Sequence, residues 1–255
     1  MTDRKQELAA NLAKVEERIA AACAAAGRHR EEVTLIVVTK TYPADDVRIL
    51  SELGVRHVAE NRDQDAAPKA AACSDLPLSW HFVGQLQTNK VRSVVGYADV
   101  VQSVDRARLV TALSKEAVRA GREVGCLLQV ALDAGESGRA SGGEGSSLDG
   151  RRREAGGRGG VPPEGIEELA DLVAGAEGLR LDGLMTVAPL TGEYAGRQQA
   201  AFERVMDLST RMRRTHPAAN MVSAGMSADL EQAVAAGATH VRVGTAVLGV
   251  RPRLG

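Results

Sequence analysis

The chain has 255 residues, of which 44% are hydrophobic and 25% are charged, with a formal net charge of −1. A chain of this length can bury a full core, and its near-zero charge gives no electrostatic case for binding nucleic acid or an anionic membrane. Aromatic residues make up only 2%, so platforms for base stacking are scarce. We therefore expect an ordinary globular protein with neither a nucleic-acid nor a membrane partner.

The N-terminal residues and the cysteines point to the cytoplasm. Residues 1–7 lack the apolar segment of a secretion signal, and no stretch of the sequence approaches transmembrane length. Cys23, Cys73 and Cys126 are odd in number and widely spaced, with no CxxC pair. Such cysteines are typical of reduced, structural thiols, so we expect a cytoplasmic protein.

Helix and strand patterns alternate along the whole chain. An Ala-rich amphipathic helix is predicted first, over residues 4–26, ending at Gly27. Eight strands are then predicted, at 33–39, 56–59, 79–83, 99–102, 123–132, 180–187, 219–223 and 239–243. The helices between them are predicted at 44–53, 62–72, 88–95, 105–120, 163–174, 196–214 and 227–236.

Eight strands separated by helices in about 250 residues predict an α/β fold, a single (β/α)8 TIM barrel over residues 1–255 with an extra N-terminal helix. A doubly wound open sheet is the alternative, because alternation alone does not show that the sheet closes. No GxGxxG motif follows the first strand, which counts against a dinucleotide-binding fold.

One segment interrupts the pattern between the fifth strand and its helix. Eight of the twenty residues from 141 to 160 are glycine, and three consecutive arginines occupy 151–153. This composition cannot bury a core, and it predicts a flexible Gly/Arg-rich insertion loop over residues 138–160. The arginines could contact an anion or nucleic acid. Acidic residues lie among them, so we favour a solvated loop with no assigned function.

Lys40 is the first candidate functional residue. It follows residues 34–39, the most continuously apolar and β-branched run of the N-terminal half, which is typical of a strand buried on both faces. Desolvation near apolar walls lowers the pKa of an amine, and the free amine can form an imine with an aldehyde. The alternative is a lysine that turns outward into solvent.

A candidate phosphate site lies in the last two loops. Barrel chemistry takes place at the C-terminal ends of the strands, and phosphate commonly binds in the loops after the seventh and eighth. Here these loops, 223–227 and 242–245, combine glycines, backbone N–H groups and the hydroxyls of Ser223 and Thr245. A phosphate site on one side of the mouth and an imine-forming lysine on the other suggest pyridoxal 5′-phosphate, whose phosphate and aldehyde lie on opposite sides of one ring.

Six short motifs mark the strand ends. They are TKT at 39–41, ENR at 60–62, WHFVGQLQTNK at 80–90, GLMT at 183–186, GMSAD at 225–229 and VRVGT at 241–245. In this order they resemble the motif series of the pyridoxal 5′-phosphate homeostasis protein family, over the whole chain except the glycine-rich insertion. The resemblance implies a single barrel related to the N-terminal domain of alanine racemases.

The same resemblance implies a role for each candidate residue. Lys40 would hold pyridoxal 5′-phosphate as a Schiff base, and Arg242 would face its pyridine nitrogen. The phosphate would be held by Ser223, Gly225, Gly244 and Thr245, and the pocket would be lined by Asn61, His81 and Met185. From the residues alone, His81 could equally be a buried imidazole with a backbone partner.

This chain departs from the family pattern at three places. Ala59 and Ala224 stand where the family usually has glycine and methionine, and neither change removes a proposed ligand group. The Lys-Gly pair usual after the fifth strand is not recognisable, and the insertion lies there. The geometry of that loop is therefore not predicted.

The expected function is cofactor binding without catalysis. An arginine at the pyridine nitrogen keeps that nitrogen unprotonated, which weakens the ring as an electron sink. Alanine racemases also use a tyrosine from another domain as a second base, and none of Tyr42, Tyr97 and Tyr194 is assignable to that role. We expect a monomeric carrier that delivers the cofactor to apo-enzymes. The alternatives are a pyridoxal-phosphate-dependent amino-acid racemase and a barrel that binds another phosphorylated metabolite without an imine.

Overall fold

Eight parallel strands form a closed barrel with helices packed around it. The computed structural model describes residues 3–132 and 159–249. The strands are β1 (Thr34–Val38), β2 (His57–Glu60), β3 (Ser79–Phe82), β4 (Val100–Val104), β5 (Val124–Gln129), β6 (Leu179–Met185), β7 (Met221–Ser223) and β8 (His240–Val243). The helices are α1 (Asp3–Ala25), α2 (Ala44–Glu52), α3 (Asp63–Ala72), α4 (Val91–Val95), α5 (Ala107–Ala120), α6 (Ile166–Ala174), α7 (Gln198–Met212), α8 (Leu230–Ala236) and α9 (Thr245–Leu248).

Closure of the sheet distinguishes the two predicted folds. β1 pairs in parallel with β2 on one side and with β8 on the other, where Ile36 lies opposite Arg242. The (β/α)8 barrel with an extra N-terminal helix is therefore confirmed, and the open sheet is excluded.

The extra helix α1 closes one side of the outer layer. Leu8, Val15 and Ile19 recur on one helical face and are buried at 0–1% exposure against residues of α8 and α9. Each buried aliphatic side chain of this kind contributes roughly 1.5–3 kcal/mol. Among the helices of the described residues, none is long and apolar enough to cross a membrane.

Several boundaries differ from the prediction. The helix predicted at 88–95 divides into a 3-10 turn, Thr88–Lys90, and α4. The helix predicted at 227–236 begins only at Leu230, because the Asp229 carboxylate accepts the Met226 N–H at 2.6 Å and holds a turn before it. The short α9 was not predicted, since four residues carry too little periodicity. Of the insertion predicted over 138–160, residues 138–158 lie outside the described residues.

Strand alternation decides which side chains face the barrel interior. In β1, Leu35 and Val37 pack in the core shared with the helices. Ile36 and Val38 therefore face inward, because successive side chains point to opposite faces. The Thr39 N–H still bonds to the Ala59 carbonyl at 2.9 Å, so the extended pairing continues past the strand end.

Gly183 in β6 should be essential for strand packing. Its φ is 150°, and a Cβ atom there would lie 1.9 Å from the Met221 carbonyl oxygen of β7. We expect Gly183→Ala to lower the free energy of unfolding by roughly 3 kcal/mol or more, measured by urea denaturation. Gly27→Ala is the matched control, because Gly27 also has a positive φ, 67°, but has no atom within 4 Å of the added Cβ. Equal losses in the two variants would contradict this packing argument.

Candidate functional site at the carboxyl end of the barrel

A chain of hydrogen bonds begins at Arg242 in β8 and crosses the barrel interior. The guanidinium donates from Nη1 to Ser223 Oγ and from Nη2 to the Thr186 carbonyl oxygen, each at 2.7 Å. Ser223 Oγ in turn donates to Gln102 Oε1 at 2.7 Å. Three strand ends, those of β6, β7 and β8, are thus tied to the middle of β4.

The chain continues from Gln102 to two histidines. Gln102 Nε2 lies 2.9 Å from His81 Nδ1, and His81 Nε2 lies 3.1 Å from His57 Nδ1. We call Arg242, Ser223, Gln102, His81 and His57 the interior chain. Its central members are buried, with exposures of 0% for Ser223, 0% for Gln102 and 1% for His81.

Arg242 sets the direction of every bond in the interior chain. A guanidinium only donates, so Ser223 Oγ accepts from it and gives its single proton to Gln102. Because the Gln102 side-chain carbonyl accepts this proton, the NH2 group of the same amide is oriented towards His81. His81 accepts at Nδ1, which places its proton on Nε2, where it donates to His57 Nδ1.

The acceptor roles require neutral imidazoles, and the electrostatics agree. Burial, followed by the charges that His57, His240 and Arg242 can carry, holds the pKa of His81 well below 6.5. Burial lowers the pKa of His240 to about 4 and also lowers the pKa of His57. The rings of His81 and His240 lie 5.4 Å and 6.5 Å from that of His57. A cationic histidine is therefore disfavoured throughout this cluster.

Arg242 itself is a buried cation. It is 4% exposed, and burial lowers its pKa to about 10, opposed by the negative charge of Asp229. Among the described residues it forms no ion pair with a carboxylate, and a guanidinium has more N–H donors than the Ser223 and Thr186 acceptors use. Arg242 therefore combines a positive charge with hydrogen-bond donors that these two acceptors do not use.

The loops after β7 and β8 lie side by side beneath the barrel mouth. The Arg242 N–H bonds to the Gly225 carbonyl at 2.9 Å, and Gly225 turns with a φ of 89°. Within residues 3–132 and 159–249, the N–H groups of Gly225, Gly244 and Thr245 have no acceptor. Free N–H groups in neighbouring loops suit an anion.

Ser223 lies in a different setting from the one that the sequence predicts. Its hydroxyl lies inside the barrel and already bonds to Arg242 and Gln102. Met185 is also interior, 1% exposed, packed with Val100 and Leu127. His81 is a buried imidazole, but its partners are side chains and not the backbone.

Lys40 is exposed, contrary to the prediction of an amine enclosed by apolar walls. It lies in a turn, and the next residue, Thr41, has a φ of 70°. A β-branched residue in this left-handed conformation is strained, and such strain concentrates at functional sites. The loop after β8, which the sequence predicts to hold phosphate, also lies closer to Lys40 than expected: β8 neighbours β1, and a Cβ on Gly244 would lie 3.2 Å from the Val38 carbonyl oxygen.

Asn61 lies at the edge of a neighbouring cleft of about 430 Å³, with Arg62, Gln85 and Lys90 also in its wall. Its backbone is fixed by Gly84, where a Cβ would lie 2.0 Å from the Asn61 carbonyl oxygen. Of the predicted site residues, the structure thus places Asn61 apart from the interior chain.

Sequence reasoning missed three interior residues, His57, Gln102 and His240. Each occupies a position whose side chain faces the barrel interior. For example, His57 lies two residues before Ala59 on β2, and Ala59 is paired with His81. The available signal was a polar residue at an inward position of a buried strand. Among the described residues, these histidines and nearby acids form no group that could hold a metal ion.

The comparisons with known proteins agree with this fold. The model of the family "Alanine racemase, N-terminal domain" matches residues 153–252. The pyridoxal phosphate homeostasis protein of Mycobacterium tuberculosis is 40% identical, over 98% of this chain and 95% of the relative. PipY of Synechococcus elongatus with PLP bound superposes with a TM-score of 0.73 at 31% identity, covering 95% of this chain and 100% of that one. An alanine racemase of Clostridium difficile shares the fold alone, with a TM-score of 0.65 at 15% identity over 98% of this chain and 58% of that one.

Fold and site together define an eight-stranded barrel of the alanine racemase N-terminal type. The near-full-length identity to the mycobacterial relative goes further. The chain belongs to the pyridoxal phosphate homeostasis protein family.

Buried neutral histidines should make the fold sensitive to mild acid. The unfolded chain binds protons near pH 6.5 but folded His240 binds them only near pH 4, so unfolding takes up protons between these values. The free energy of unfolding therefore keeps its full value above pH 6.5 and decreases as the pH is lowered towards 4. A lowering from 6.5 to about 4 corresponds to about 3 kcal/mol for His240.

Urea denaturation at several pH values measures this dependence. We expect His240→Gln to flatten the decline between pH 6.5 and 4, and His29→Gln to leave it unchanged, because His29 is exposed. An identical decline in the wild type and in His240→Gln would contradict the prediction.

Proposed function

We propose that this protein binds pyridoxal phosphate at the carboxyl end of the barrel, as a Schiff base on Lys40, and holds it for delivery to apo-enzymes. The single observation that carries the proposal is the buried guanidinium of Arg242, which has more N–H donors than the two acceptors it contacts and lies on β8, the strand next to β1. The PLP-bound structure of PipY and the name of the mycobacterial relative support the same ligand.

Each group of the site matches one part of this ligand. The free N–H groups of Gly225, Gly244 and Thr245 suit the phosphate, because they lie in neighbouring loops and carry no competing acceptor among the described residues. The Lys40 amine attacks the aldehyde carbon, and water leaves as the C=N bond forms. The cofactor, when bound, would supply a conjugated ring able to accept electrons.

Arg242 limits what that ring can do. Since its guanidinium can only donate, it would bond to a pyridine nitrogen only if that nitrogen accepted, and an acceptor nitrogen carries no proton. An unprotonated ring is a weak electron sink, so proton abstraction from a bound amino acid gains little stabilisation. The hydrogen bonds to Ser223 and Thr186 restrain the guanidinium, which supports this role.

The tyrosines also favour a carrier over a racemase. The Tyr42 hydroxyl donates to the Gly249 carbonyl at 2.6 Å. Tyr97 follows α4 at the opposite end of the barrel, and burial raises its pKa. Tyr194 is half-buried and stacks beside Arg197. In the described structure the Tyr42 hydroxyl is therefore engaged as a donor, and no hydrogen bond or ring contact joins Tyr97 or Tyr194 to Lys40.

The proposed carrier acts as a cytoplasmic monomer, and Asn61, His81 and Met185 shape its pocket. Delivery to apo-enzymes has a direct test. The loaded protein, separated from free PLP, should restore activity to an apo-form of a PLP-dependent enzyme, while the Lys40→Ala protein treated in the same way should not.

The Schiff base is tested by trapping. Protein incubated with PLP should show imine absorbance, and borohydride reduction should leave a pyridoxyl group on the peptide that contains Lys40. Lys40→Ala should abolish both signals. Lys115→Ala is the matched control, because Lys115 is exposed on α5 and should leave both unchanged.

Other outcomes separate the alternatives. A label on a different lysine would contradict the Lys40 assignment. Absence of any adduct, with tight binding of another phosphorylated metabolite, would favour a barrel without an imine. Rapid exchange of amino-acid α-protons in deuterated water, lost in Lys40→Ala, would establish a racemase-like enzyme instead of a carrier.

A further inference from the structure

A second buried polar cluster lies behind Lys40, on the outer side of β1 and β2. It consists of Thr39, Glu60 and Lys69, and we call it the Lys69 cluster. Glu60 is 0% exposed and Lys69 is 8% exposed. Lys69 Nζ forms a short ion pair with Glu60 Oε1, and the Thr39 hydroxyl donates to the same oxygen at 2.7 Å.

The cluster faces the helices and not the barrel interior. Val37 and Val58 pack in the core shared with the helices, and Thr39 and Glu60 follow them by two positions on their strands. Lys69 reaches the cluster from α3. The Lys69 cluster is therefore separate from the interior chain, with the strands β1 and β2 between them.

Lys69 also holds the backbone that leads into Lys40. Its Nζ donates to the Thr39 carbonyl oxygen at 2.8 Å, and that oxygen also accepts the Tyr42 N–H at 3.2 Å. Thr39 is thus bound through its hydroxyl, its carbonyl and its N–H. The strained turn at Thr41 starts immediately after this fixed residue.

The cluster also lies next to a second predicted contact, because Glu60 directly precedes Asn61. One ion pair therefore joins the two strand ends that carry Lys40 and Asn61. The pair is not arranged for stability alone: Glu60 Oε2 is buried and has no hydrogen-bond partner among the described residues. A buried ion pair is often no more stabilising than a well-packed apolar pair of similar volume.

We propose that Lys69 is a positioning residue for Lys40. It ties the Thr39 carbonyl to the Glu60 carboxylate, and so holds the turn in which the Lys40 amine meets the ligand aldehyde. The proposal rests on the function proposed above for Lys40. An apolar side chain at position 69 could fill the same space, but it could not donate to Thr39.

Two variants separate positioning from folding. Lys69→Met leaves the Glu60 carboxylate buried and unpaired, so it lowers stability as well. In the double variant Lys69→Met/Glu60→Leu no charge is left unpaired, so the fold should be retained. The Thr39 carbonyl then loses the Lys69 amine, and the Thr39 hydroxyl loses the Glu60 carboxylate. Lys5→Met is the matched control, because it also removes a lysine paired with a carboxylate, here Glu52 at 2.6 Å on the exposed surface.

The first measurement needs no cofactor. Amide hydrogen exchange in the protein without added ligand should become about tenfold faster at Tyr42 in the double variant, the change expected when a hydrogen bond to a charged group is lost. Exchange at core strand amides such as Val101, and exchange throughout Lys5→Met, should stay at wild-type rates.

The second measurement separates binding from imine formation. Pyridoxine 5′-phosphate, which has the ring and phosphate but no aldehyde, should bind the double variant and the wild type equally. Formation of the borohydride-trappable adduct with PLP should be about tenfold slower in the double variant. A general structural defect would instead weaken the binding of both ligands to a similar extent.

A folded double variant with wild-type exchange at Tyr42 and wild-type adduct formation would overturn the proposal. So would equal loss of affinity for both ligands. If the wild type forms no adduct on Lys40, the function proposed for Lys40 fails. Hydrogen exchange then still decides whether Lys69 fixes residues 39–42.

Discussion

A guanidinium enclosed in the barrel, with no carboxylate bound to it among the described residues, is the constraint on which the site depends. Because Arg242 can only donate, each partner along the interior chain accepts on one side and donates on the other. The imidazole of His81 is thereby held neutral and in one tautomer, and burial favours the same state. The remaining N–H groups of the guanidinium are available to an acceptor on a bound ligand.

β2 carries polar side chains on both faces, with His57 at its amino end facing inward and Glu60 at its carboxyl end facing outward, and Thr39 just after β1 also faces outward. His57 bonds within the barrel, whereas Thr39 and Glu60 bond to Lys69 on the outside. Strands of a parallel barrel are normally apolar on both faces, and each buried polar group lowers stability unless it is bonded. These two strand ends are therefore organised around fixed hydrogen bonds, and Lys40 and Asn61 leave the barrel from them.

The sequence predicted the strands and the order of the site loops, because buried β-branched runs such as 34–38 and glycine-bearing loops are local patterns. Closure was not predictable from alternation, since it requires β1 to pair with β8. Gln102 was missed for the same reason: it reaches both His81 and Ser223 only when the sheet curves round. The exposure of Lys40 depends on the left-handed turn at Thr41, which could not be predicted because threonine does not favour this conformation. The Lys69 cluster was invisible because Lys69 and Glu60 meet across a helix–strand packing.

The position of Ser223 links two predicted roles that the sequence treated as independent. Its hydroxyl has one proton, which it donates to Gln102 Oε1 in this structure, and its oxygen accepts a hydrogen bond from Arg242 Nη1. If that proton were given to a phosphate oxygen, Gln102 Oε1 would lose its donor while buried, at a cost of roughly 1–3 kcal/mol. The amide could then recover a bond only by turning, which would take its NH2 from His81. The backbone N–H groups of Gly225, Gly244 and Thr245 carry no such cost. An anion held by them alone leaves the direction of the interior chain, and hence the orientation of Arg242, unchanged.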